Sequence, residues 1–197
     1  MPDMKIKTIR SFIALPLSLD CKQKFYKVIS NLRKDIPSGV RWVDNKNLHL
    51  TLKFMGELNP DDMPYMKSEL EKSLLLTSEF NVAFQGLGLF PEVGKPKVIW
   101  VGISPQLPIK LIFEKVEKAT SLIGYPKEIR GFSPHITLGR IEKENQNQDQ
   151  IQIRDIITKK KGGLICTSTI NKIVLYQSQL TPKGPVYCEL ITIGLKA

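Results

Sequence analysis

Apolar and polar positions along the chain change period several times, and each change marks an element. Residues 9–15 read as a buried strand. From 19 to 32 the apolar positions Leu19, Phe25, Val28, Ile29 and Leu32 fall at helical spacing, with Ser18 or Asp20 as cap. Pro37, Ser38 and Gly39 break that helix, Arg41, Trp42 and Val43 begin an extended piece, and 48–54 is a clear strand. Asn59 and Pro60 open a second helix running to about Leu76. Strands are expected at 80–89 and 98–103, a third helix at 107–123, and a further strand at 132–141. A polar loop is expected at 142–150, then a short helix or irregular segment at 151–157. A basic turn spans Lys159, Lys160 and Lys161, and a final strand pair occupies 170–177 and 186–193. Adjacent strand pairs among interleaved helices predict an α+β fold rather than a parallel sheet.

Within that pattern one four-residue phrase recurs, His49-Leu50-Thr51-Leu52 and His135-Ile136-Thr137-Leu138. These are the only two histidines in 197 residues, and they lie 86 positions apart. A phrase repeated near half the chain length suggests an internal duplication with two lobes facing one cleft. Side chains alternate along a strand, so each phrase sets a histidine and a threonine on one face and aliphatic residues on the other. Phe54 falls on the aliphatic face by the same count, and Lys53 beside His49 and Thr51.

Two histidines across one substrate point to acid–base chemistry on a phosphate ester. Imidazole titrates near the working pH, one ring can accept a proton while the other donates one, and a nearby threonine hydroxyl can hold a phosphoryl oxygen. The alternatives fit less well. Two histidines without cysteine or carboxylate at ligand spacing make a poor zinc site. No Gly-x-Ser-x-Gly elbow and no phosphate-cradling glycine loop is present. Neither metal nor cofactor is therefore expected, and a near-neutral pH optimum is.

Charge adds a partner class. With 29 basic and 19 acidic residues the chain carries +10, which favours an anionic partner such as nucleic acid. An odd count of three cysteines with no CxxC argues against a disulfide framework and for a reducing cytoplasm. The basic residues ahead of the short apolar run 11–19 imitate a signal peptide, but Pro16 and the lack of a small-residue cleavage site favour a first strand. No stretch approaches 18 consecutive apolar residues, so no membrane span is expected.

The longer phrases around the histidines resemble a known family, the RNA 2′,3′-cyclic phosphodiesterases, historically called 2′-5′ RNA ligases, of the 2H phosphoesterase superfamily. The similar stretches are Arg10 to Pro16, Arg41 to Val43, Asn47 to Glu57, Gly88 to Pro91, Lys97 to Gly102, Phe132 to Arg140 and Leu175 to Tyr187. The resemblance implies one domain over 1–197 made of two lobes, with two facing, mainly antiparallel sheets, outer helices and a central cleft. It implies hydrolysis of RNA 2′,3′-cyclic phosphate ends to 2′-phosphates, with 2′-5′ joining as the reverse sense. His49 is then the proton donor, His135 the proton acceptor, and Thr51 and Thr137 the phosphate ligands. Arg140 is implied in substrate binding, although strict alternation sets it opposite His135 and only a bulge at Gly139 would turn it back. Phe12 is a candidate for stacking on a base, with a core role competing. Arg130 and the Lys159–Lys161 run are candidates for guiding an RNA backbone. Ser178 and Thr181 are expected at the rim of the cleft, and Trp42 and Trp100 in the core. The expected partners are RNA ends or nucleotide 2′,3′-cyclic phosphates, without a membrane, and the expected state is a monomer. Two other readings remain open at this stage: a phosphodiesterase for small cyclic nucleotides or ADP-ribose cyclic phosphate, and a non-catalytic RNA-end binding module.

Overall fold

A computed structural model describes residues 7–142, 147–182 and 184–197, with the backbone alone for 147–149. Strand β1 (Ile9–Pro16) leads into helix α1 (Leu19–Asp35), whose first turn is capped by Ser18 accepting from the Cys21 amide. Cys21, Phe25, Ile29 and Leu32 bury one stripe of that helix. Short β2 (Val40–Trp42) and a 3₁₀ turn (Asn45–Asn47) precede β3 (His49–Leu58). Another 3₁₀ turn (Pro60–Asp62) opens α2 (Met63–Leu74), which is followed by β4 (Phe80–Phe90), β5 (Val98–Ser104) and α3 (Leu107–Leu122). Then come β6 (Ile136–Ile141), α4 (Asn147–Lys159), β7 (Leu164–Ile170), β8 (Lys172–Thr181) and β9 (Gly184–Gly194).

The strands form two sheets, one in the order β3-β1-β8-β9 and the other β2-β6-β5-β4-β7, with every named pairing antiparallel. This is the α+β architecture that the strand pairs predict. Helices α2 and α3 cover the outer face of the four-stranded sheet, and α1 and α4 pack on the five-stranded one, where Phe25 meets Phe84 edge-on at 5.4 Å. Each sheet borrows from both halves of the chain: β2 pairs with β6, and β8 and β9 extend the sheet of β1.

Fully buried Leu15, Leu50, Leu58, Ile99 and Leu138 lie in one apolar core. Each such side chain contributes about 1.5–3 kcal/mol when removed from water. Gly139 is required where β2 crosses close to β6. A Cβ there would lie 2.7 Å from Val40 Cγ1 and 3.0 Å from Trp42 Cε3.

Three expectations are corrected. The segment 164–170 forms β7, although no element was predicted there. Its alternation is masked by Thr167, Ser168 and Thr169 on an edge strand that only β4 flanks. Helix α4 begins at Asn147, inside the expected 142–150 loop, of which 143–146 lie outside the described residues. The strand of the second phrase starts at Ile136, one residue after His135, rather than at 132, because Pro134 interrupts the approach. Lys183, in the predicted β8–β9 turn, also lies outside the described residues.

Candidate active site

The two histidine phrases fold in the same way. In each, Nδ1 of the histidine lies against the carbonyl oxygen two residues earlier: His49 at 2.6 Å from Asn47 O, and His135 at 2.7 Å from Ser133 O. A carbonyl can only accept, so Nδ1 carries the proton and Nε2 the lone pair of each neutral ring. For His49, Nε2 is 3.0 Å from Thr51 Oγ1, whose hydroxyl donates to it. Asn47 is itself pinned, its side-chain amide donating to Pro185 O at 2.8 Å. The anchoring therefore reaches from β3 to the start of β9.

At the last residue of each phrase the strand bulges. On β3, Ile13 pairs with Lys53 and Ala14 with Thr51, leaving Leu52 with no opposite residue on β1. On β6, Ile99 pairs with Gly139 and Trp100 with Thr137, leaving Leu138 unopposed on β5. An inserted residue reverses the parity of everything after it. Arg140 therefore returns to the face of His135 and Thr137. The same reversal turns Lys53 away from His49 and brings Phe54 in. Phe54 and Arg140 are thus equivalent positions, each five residues beyond its histidine.

These faces line one cleft of about 500 Å³ that contains His49, Thr51, His135, Thr137, Arg140 and Phe54. Arg10, Arg41 and Lys46 add positive charge to its wall, against Asp44 as the one acid among its described lining residues. The surplus suits an anion. Ser178 and Thr181 line it as expected, and Trp42 does as well, contrary to the core placement predicted for it. Trp100 lies behind His135 through Phe90, which stacks on the indole at 4.9 Å and meets His135 edge-on at 5.0 Å.

Three of the candidate roles fail in physical terms, while the competing core role of Phe12 holds. Lys53 does not reach the cleft: it is 2% exposed, 2.7 Å from Glu117 Oε1, and donates to Pro126 O at 2.6 Å. Phe12 borders the cleft but is 3% exposed, stacked on His49 at 4.7 Å and packed against Tyr176 and Tyr187. It backs the imidazole instead of offering a free face to a base. The exposed aromatic is Phe54, at 58%. Alternation alone had buried Phe54, and no signal in the sequence marks the bulge that frees it. The Lys159–Lys161 turn does not line the cleft, and Lys160 pairs with Asp35 at 2.9 Å.

Burial governs the electrostatics of both rings. Desolvation pushes the His49 imidazolium down to about 4; the Asn47 carbonyl opposes this and the Lys22 charge adds to it. His135 is also lowered, mainly by desolvation, with the Arg140 charge assisting and the Ser133 carbonyl opposing. Near neutral pH the cleft thus presents two neutral imidazoles, each with Nε2 free of its backbone anchor. An anion between them raises both values, because a negative charge favours the imidazolium.

Known proteins resemble this chain in sequence and in fold. The family model described as LigT like Phosphoesterase matches the chain twice, over residues 16–100 and 101–187. The chain is 28% identical over 182 residues to the RNA 2′,3′-cyclic phosphodiesterase of Archaeoglobus fulgidus, covering 92% of this chain and 98% of that one. It is 26% identical over 186 residues to the protein of the same name from Aquifex aeolicus, covering 92% and 95%. A crystal structure of a Thermus thermophilus protein superposes with a TM-score of 0.78 at 25% identity, over 95% of this chain and 98% of that chain. The fold is shared with E. coli LigT, solved in complex with 3′-AMP, at a TM-score of 0.74 and 21% identity over 97% of this chain and all of that one (100%). Two successive matches, one over each histidine phrase, mean that this chain belongs to the LigT-like phosphoesterase family.

Proposed function

We propose that the cleft opens the 2′,3′-cyclic phosphate at an RNA end to a 2′-phosphate, with the two histidines as acid and base. The observation that supports this reading most is the matched anchoring of His49 and His135, each held at Nδ1 by a carbonyl beside a threonine. The Archaeoglobus and Aquifex relatives carry the name of that activity.

Atoms and electrons balance within one displacement. His135 Nε2 takes a proton from water, the water oxygen bonds to phosphorus, and the P–O3′ bond breaks with its electron pair on O3′. His49 Nε2–H gives O3′ its proton. Thr51 and Thr137 donate to the non-bridging oxygens, and Arg140 offsets the charge that develops on them. Such a displacement depends chiefly on positioning and charge stabilisation. With a 5′-hydroxyl in place of water, the same displacement forms a 2′-5′ bond. Phe54, exposed in the cleft wall, supplies a face on which the terminal base can stack. No helix among the described residues is long and apolar enough to cross a membrane.

The lowered histidines make a pH prediction. The free enzyme needs one ring charged and the other neutral, so kcat/KM for cyclic phosphate opening follows a bell bounded by the two free-enzyme values. Both lie below the ordinary 6.5. The kcat/KM maximum therefore falls on the acid side of 6.5, where the sequence alone led us to expect a near-neutral optimum. Bound phosphate raises both values, so the kcat maximum lies at higher pH than that of kcat/KM. Steady-state rates from about pH 4 to 9 check this. Coincident profiles, or a kcat/KM maximum above about pH 7, would contradict it.

A further inference from the structure

A second cavity, of about 450 Å³, adjoins the cleft, and Phe54 lines both. Its far wall is the 125–130 loop, which leads towards His135. This loop is fastened at three points. Tyr125 donates to Asp62 Oδ2 at 2.7 Å and accepts from the Asn59 amide. Pro126 O accepts from buried Lys53, and the Glu128 amide donates to Glu117 Oε2 at 2.8 Å. Lys127 and Arg130 project from this fixed backbone, both exposed, and neither forms an ion pair among the described residues. Lys53 is neutralised by Glu117, and the Glu128 carboxylate offsets one of the two remaining cations, so the wall keeps a net positive charge.

We infer that this cavity is a subsite for the nucleotide on the 5′ side of the cyclic end, with Lys127 and Arg130 taking the phosphate that joins it to the terminal nucleotide. The inference rests on the cyclic phosphate reading for its register. An RNA held by its 3′ end must leave the cleft as a polyanion, and the cavity beyond Phe54 provides a positive wall beside that exit. A loop with three fastened points loses little freedom when it takes a phosphate, so the contact is cheap to form. A mononucleotide does not reach this wall, and a dinucleotide does.

The test compares binding as well as turnover. Calorimetry on the full chain with a mononucleotide 2′-phosphate and a dinucleotide 2′-phosphate should show about tenfold tighter binding of the longer ligand, as one charge-assisted contact provides. Lys127→Ala/Arg130→Ala should remove that gain, leave mononucleotide binding and turnover within about twofold, and lower the salt slope for the dinucleotide by about 0.7 per lost phosphate contact. The control Lys159→Ala/Lys161→Ala, which removes equal charge away from the cleft, should keep the gain. A wild-type protein without length preference, or a double variant that retains it, overturns the subsite. Failure to open any cyclic phosphate would instead overturn the catalytic reading, while the binding difference still decides the subsite.

Discussion

His49→Ala and His135→Ala each lower kcat for opening an RNA 2′,3′-cyclic phosphate by about 10²–10⁴-fold, the range a positioned acid or base contributes. KM changes little, because phosphate contacts from Thr51, Thr137 and Arg140 remain. The double variant is not the product of the two losses, since acid and base act in one displacement. Both variants should fold, and His49→Ala supplies a control on the origin of the effect. The folded value of His49, about 4, lies below the unfolded 6.5, so protonation disfavours the fold. As pH falls from 6.5 towards 4, wild type loses stability that the variant does not. Denaturant melts at about pH 7 and about pH 4.5, together with single-turnover rates, check both halves. Full activity in either variant would remove the two-histidine mechanism.

The second large effect is on stability. Lys53→Met should destabilise the protein by about 3–5 kcal/mol, because it strands the Glu117 carboxylate, whose side chain is 7% exposed, and leaves Pro126 O without its donor. Adding Glu117→Gln removes the stranded charge while keeping an acceptor for the Glu128 amide, so the double variant should recover more than about half of the loss. Urea titrations of the three proteins measure this. A loss below about 1 kcal/mol in Lys53→Met would mean that the pair does not hold the 125–130 loop.

The place that alternation gives Lys53, beside His49 and Thr51, shows where sequence reasoning stops. The strands of the two histidine phrases are legible because period-2 alternation places each histidine beside a threonine over an aliphatic face. The helix α1 is legible through its stripe and Ser18 cap. On β6 Gly139 hints at the bulge, but on β3 no residue marks it, and each bulge decides which face the next residues take. Counting without the bulge sends Lys53 to the cleft, Phe54 to the core and Arg140 to the wrong face. With it, all three reverse. The borrowed strands of the two sheets were equally hidden. Nothing in the phrase Val40 to Trp42 says that it pairs with Gly139 to Ile141, far along the chain. Phe12 was ambiguous for another reason. Its burial depends on Tyr176 and Tyr187, which arrive from the far end of the chain.

The central claim is that two anchored imidazoles cleave one particular bond of a cyclic phosphate. Identifying the position of the phosphate after an oligoribonucleotide with a 2′,3′-cyclic end is incubated with the protein tests it most directly. The account predicts a terminal 2′-phosphate with a free 3′-hydroxyl, formed by wild type and lost in both histidine variants. A 3′-phosphate product, or an unopened ring under conditions where the folded protein binds the RNA end, would contradict it.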